Sequence, residues 1–93
     1  SCTTIGSVIL INGTTYNIFF YTQYGFKIDP LPPNYVFVIS RNISLNSIKV
    51  GCTFIHNNIE YIINNIIPSN GLIGYILDKD FPPDVRNAVV KCC

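Results

Sequence analysis

Ninety-three residues make one domain of 1–93, and a composition of 48% hydrophobic and 12% charged residues is far from that of a disordered chain. The formal charge is +1 and the six Lys and Arg are scattered, so the clustered positive charge that nucleic acid demands is missing and no such partner is expected. No apolar run approaches the roughly 20 residues that span a bilayer as a helix, so no transmembrane segment is expected.

In chain order, residues 7–11 and 14–22 are rich in β-branched and aromatic side chains and flank Asn12-Gly13. That dipeptide suits the positive φ angles of a two-residue turn, so a hairpin is expected there. Residues 25–29 read as a short strand, 29–33 as a loop, and Tyr35–Arg41 as a buried strand. Residues 49–56 and 59–67 flank Asn57-Asn58 and form a second candidate hairpin. Ile59, Ile62, Ile63, Ile66 and Ile67 also fit a helical stripe bounded by Asn58 and Pro68. Residues 68–71 read as a loop and Leu72–Leu77 as a strand. Asp80 to Pro83 would cap a short helix, with 84–90 either its body or a last strand.

The chain matches itself. Gly6, Asn12, Tyr16 and Ile18 recur as Gly51, Asn57, Tyr61 and Ile63 at an offset of 45 residues. Gly25-Phe26-Lys27-Ile28-Asp29 then corresponds to Gly74-Tyr75-Ile76-Leu77-Asp78, and Leu31-Pro32-Pro33-Asn34 to Phe81-Pro82-Pro83-Asp84. Two repeats, about 6–41 and 51–90, would fold as halves of one body. The repeat favours strand over helix for 59–67, because Tyr61 and Ile63 stand where the first copy has Tyr16 and Ile18. The fold expected is mainly β, a small pseudo-twofold barrel or sandwich with one optional short C-terminal helix. The pattern of hairpin, strand ending in Asp and Pro-Pro turn resembles the duplicated small β-barrels of the double-psi and cradle-loop type, which are built from two interlocked ββαβ halves. This chain departs from that pattern where the helix after the first Pro-Pro would be very short.

Cys2, Cys52, Cys92 and Cys93 are an even set in a short chain, which favours disulfides over metal. Zinc ligands come in pairs two to four residues apart, whereas the only close pair here is adjacent. Adjacent cysteines also close only a strained ring with each other. Two pairings remain open: Cys2 with Cys92 and Cys52 with Cys93, or Cys2 with Cys93 and Cys52 with Cys92. A bond from Cys2 or Cys93 to a neighbouring subunit is the rival. The sequons Asn12-Gly13-Thr14 and Asn42-Ile43-Ser44 point, like the cysteines, to an oxidising environment. Ile and Asn supply 27 residues, as an AT-rich genome would produce, and the start at Ser1 fits removal of an initiator Met or cleavage of a precursor.

Chemistry has few places to live. His56, the sole histidine, adjoins a turn, and Cys52 four residues earlier stands about 13 Å away along a strand, too far for a Cys–His pair. Asp29 and Asp78 hold equivalent repeat positions and could pair as acids about a twofold axis, although Pro30 and Lys79 replace the small residue that follows such an Asp in aspartic proteases. The plainer reading gives each the task of accepting backbone hydrogen bonds before its Pro-Pro turn. Asp78, Asp80 and Asp84 begin like a calcium loop but lack its turn Gly and late Glu, so a solvated turn is the simpler reading. Tyr21, Tyr24 and Phe26 form a candidate aromatic binding patch. No Gly-rich phosphate loop is present, and no metal or other cofactor is expected. The sequence therefore points to a non-enzymatic structural or self-assembling subunit, extracellular or on a virion or filament surface, whose partner is itself or another protein. The alternatives are a monomeric disulfide-bonded binding module and a hydrolase using Asp29 and Asp78. The location could also be the cytoplasm of a hyperthermophile.

Overall fold

The computed structural model describes residues 1–16, 31–69 and 72–93. Among them six strands close into an antiparallel barrel: β1 (Thr3–Asn12), β2 (Tyr35–Arg41), β3 (Thr53–His56), β4 (Ile59–Ser69), β5 (Leu72–Leu77) and β6 (Arg86–Cys92). Their order around the barrel is β1-β2-β5-β4-β3-β6, and β6 returns to β1. Closure leaves no free edge along the paired parts of the sheet.

Side-chain alternation explains which residues line the interior. Val8 and Leu10 of β1, Val36 and Val38 of β2, Phe54 of β3, Tyr61 and Ile63 of β4, Tyr75 and Leu77 of β5, and Ala88 and Val90 of β6 form one buried cluster. Each fully buried large side chain contributes about 1.5–3 kcal/mol of transfer free energy. Two edge-on ring pairs knit this interior: Phe54 with Tyr75 at 5.2 Å and Tyr61 with Phe81 at 5.1 Å. On the other face of β2, Tyr35 and Phe37 make a second, smaller core with Ile11, Leu31 and Ile76. The Tyr35 ring lies over Gly74 of β5, where any Cβ would collide with it, and its hydroxyl donates to Ile67 O at 3.4 Å. An aromatic ring covering a cross-strand glycine restores the burial that the glycine lacks.

The hairpin expected at Asn12-Gly13 does not form. β1 is already paired on both sides, with Val8 opposite Arg41 of β2 and opposite Ala88 of β6, and residues 14–16 are not strand, while 17–22 lie outside the described residues. Neither Asn12 nor Gly13 takes a positive φ. Asn12 instead turns inward, and its Oδ1 accepts from Thr14 N at 2.9 Å and from Thr14 Oγ1 at 2.8 Å, opening a 3-10 turn over Gly13–Tyr16. The second hairpin forms, but its first strand is Thr53–His56 rather than 49–56, because Val50 and Gly51 form a turn closed by Cys52 N donating to Lys49 O at 3.0 Å. Asn57 and Asn58 take φ of 51° and 63°, the left-handed pair of a type I′ turn, and His56 faces Ile59 across it.

Tyr35–Arg41 and Leu72–Leu77 are strands with the expected bounds. The loop expected at 68–71 is shorter on its leading side, because β4 runs through Pro68 to Ser69, opposite Ile73 and Leu72. The optional C-terminal helix is absent: residues 84 and 85 lie outside regular structure and 86–92 form β6, held between β1 and β3. The strand expected at 25–29 lies outside the described residues.

Candidate functional site

The cysteines are where local chemistry and topology meet. Cys2 is joined to Cys93 and Cys52 to Cys92, both within the chain. Strand register selects this pairing of the two left open by the sequence. Thr3 lies opposite Cys92 across β1 and β6, which sets Cys2 beside Cys93. Thr53 lies opposite Lys91 across β3 and β6, which sets Cys52 beside Cys92. The other connectivity would require β6 to slip by one residue, turning Ala88 and Val90 out of the core. Adjacency of Cys92 and Cys93 is thus a consequence of alternation, one side chain for each face. Cys52 is 4% exposed and its sulfur accepts from Lys49 N at 3.4 Å, whereas Cys2 and Cys93 are exposed.

A polar hub closes one end of the barrel. Asn12, 2% exposed, donates both amide hydrogens, to Pro33 O and to Phe81 O, each at 2.8 Å. The two Pro-Pro segments are therefore tied together by the side chain that the sequence assigned to a surface turn. Phe81 N donates to Pro33 O at 2.9 Å, and Asn34 exchanges two bonds with Leu77. Asn42, the other sequon residue, is exposed at the end of β2, with its Oδ1 accepting from Ser7 N at 2.8 Å.

His56 is half-buried at the same end as the hub. Its Nδ1 lies 3.1 Å from Asn87 O and its ring 6.3 Å from Phe81. Cys52, committed to its disulfide, offers it no thiol. Asp78 accepts from Ile62 N at 2.8 Å and from Lys79 Nζ at 3.1 Å. Burial pushes its carboxyl up, but these hydrogen bonds and the Lys79 charge outweigh that and hold its pKa below the ordinary value. Lys79 also donates to Glu60 O and stands 5.5 Å over the Tyr61 ring. Asp84 pairs with Arg86 at 3.1 Å. No cluster of three potential metal-binding side chains forms among the described residues. Asp29, Tyr21, Tyr24 and Phe26 lie outside the described residues.

Two shallow grooves run along the outside of the barrel and share Ser7 and Asn87. One, of about 220 Å³, is bordered by Ile9, Ser40, Arg41 and Asn42. The other, of about 390 Å³, is bordered by Ile55, His56, Asn57 and Val89. Beside the second lies an aliphatic strip. Tyr61 and Ile63 face inward, so Ile62 faces out opposite Thr53, while Ile55 faces out opposite Val89. Ile62 is 43% and Val89 39% exposed. The strip was hidden in the sequence because Ile is everywhere in it; only the register separates the outward isoleucines from those inside.

These features define a small closed β-barrel with two internal disulfides. No protein-family profile, curated protein or solved structure matches the chain.

Proposed function

We propose that this protein is a non-enzymatic structural subunit, extracellular or on a virion or filament surface, that associates with copies of itself through the outer face of β3, β4 and β6. The observation that carries this reading is the exposed pair Ile62 and Val89 beside half-buried Ile55 on a regular sheet, an aliphatic patch bordered by Glu60 and Lys91. The low charge of the chain supports it, since few like charges oppose close approach. Both disulfides lie within one chain, so association is non-covalent. Disulfides in a small barrel are compatible with an oxidising compartment.

Sedimentation velocity over a concentration series tests the reading. The mass is expected to rise reversibly with concentration, and Ile62→Lys combined with Val89→Lys is expected to hold the protein monomeric without lowering its thermal midpoint. A wild-type protein that stays monomeric to millimolar concentration overturns it. The second reading, a monomeric binding module for another protein or a small ligand, is favoured by the 390 Å³ groove, where His56 and Asn87 offer polar groups beside Ile55 and Val89. Saturable binding that Asn87→Ala weakens, by a chain that remains monomeric, would select it. The hydrolase reading requires the Asp29 and Asp78 carboxylates within a few ångströms, and Asp29→Asn would abolish such an activity.

A further inference from the structure

The chain contains two N-glycosylation sequons, and their asparagines differ in every respect that decides whether a folded protein can carry a glycan. A glycan is attached to the side-chain nitrogen. Attachment leaves the amide oxygen free to accept a hydrogen bond but removes one of the two N–H donors. At Asn12 both N–H groups are used, to Pro33 O and Phe81 O, and the side chain is 2% exposed among the residues that close the barrel end. A sugar there would break one of those bonds, either orphaning the buried Phe81 carbonyl or leaving Pro33 O with Phe81 N alone, and would force a bulky polar group into the core.

At Asn42 the side-chain bond is made by the oxygen, which accepts from Ser7 N at 2.8 Å. That bond survives attachment to the nitrogen. The residue is exposed, just beyond the end of β2, and its backbone N–H is held by Ser7 O at 3.3 Å. Within the rest of the sequon Ile43 is turned toward the core, while Ser44 is exposed in extended backbone with φ of −71° and ψ of 133°, its Oγ accepting from Asn46 N at 3.3 Å. Gly6 permits this placement, because a Cβ on it would collide with Ile43 and meet Asn42 Oδ1 at 2.8 Å.

We infer that Asn42 is an N-glycosylation site of this protein and that Asn12, despite a complete sequon, carries no glycan in any folded molecule. Transfer takes place on the unfolded chain, where both sequons are accessible. Folding then separates them, because only chains unmodified at Asn12 can close the hub and pair all four cysteines. The inference does not depend on self-association and rests only on the extracellular part of the proposed function.

The test is secretion of the full chain behind a cleavable leader from a eukaryotic cell line. The disulfide-paired fraction is isolated on a non-reducing gel, treated with peptide N-glycosidase in heavy-oxygen water, and its peptides are sequenced by mass spectrometry. The expected result is isotope-marked Asp at 42, unmodified Asn at 12, and a mobility step of one glycan that vanishes in Asn42→Gln. Ser44→Ala destroys the sequon while keeping the Asn42 bond to Ser7, and it is expected to remove the same step if Asn42→Gln folds poorly. A glycan on Asn12 in the disulfide-paired fraction, or an unmodified Asn42 in it, overturns the inference.

Discussion

At the scale of single residues, the buried polar groups carry the most information. Asn12 and Tyr75 are both fully enclosed, with opposite consequences. Asn12 satisfies two carbonyls and a turn, so it organises the barrel end. Tyr75 is 0% exposed and packs its ring on Phe54, but among the described residues its hydroxyl has no partner. Burial pushes its pKa up to about 12, and the positive charge of Arg41 only partly opposes this. Tyr75→Phe removes an unpaired buried hydroxyl while keeping the ring, so its stability is expected to be unchanged or raised by up to about 1 kcal/mol in urea denaturation. The sign of the pH effect follows from the raised folded value. Below the ordinary tyrosine value of about 10 both states keep the proton and stability is unaffected; between about 10 and 12 the unfolded chain loses it first and stability falls. The Tyr75→Phe variant should lose that part of the alkaline decline, with one late-titrating phenol missing from its ultraviolet titration.

At the scale of elements, two asparagine turns show what local signals can and cannot decide. Asn12-Gly13 has the more typical hairpin composition, yet Asn57-Asn58 makes the hairpin. The difference is competition. Both edges of β1 are taken by β2 and β6, and the Asn12 side chain gains more by bonding Pro33 and Phe81 inside than by facing solvent. The turn at Asn57-Asn58 stands at the free end of a ribbon, where positive φ is the only demand. Asn58→Val places a β-branched residue at a φ of 63° and is expected to cost about 1–3 kcal/mol, whereas Asn58→Gly should be neutral or slightly stabilising. Equilibrium denaturation of the two variants distinguishes them; equal midpoints would show that the turn is not strained by branching. The isoleucines of 59–67 also fit a helical stripe, but the strand expected there forms, paired with both β3 and β5.

At the scale of the whole molecule, β6 is the closing element. It joins β1 to β3 and ends in the two cysteines that lock both neighbours. The Cys52–Cys92 bond spans 40 residues and the Cys2–Cys93 bond 91, and in the chain-entropy model each is worth about 4–5 kcal/mol by restricting the unfolded chain. Their exposure differs. Titration with dithiothreitol, trapped by alkylation and mapped by mass spectrometry, is expected to label Cys2 and Cys93 well before Cys52 and Cys92, because a thiolate can reach only the exposed pair without unfolding the core. Equal labelling of all four would mean that the barrel opens as readily as its termini.

The sequence by itself determined that the chain is mainly β, that its cysteines favour disulfides, and where five of the strands run, since alternation, β-branched content and cysteine spacing are local properties. Its candidate sites were legible only as residue types. Tertiary structure alone decided which asparagine is buried and which is exposed, which of two disulfide connectivities forms, and which isoleucines face outward. Each of those depends on strand register, and register is set by many side chains packing at once across strands far apart in the chain.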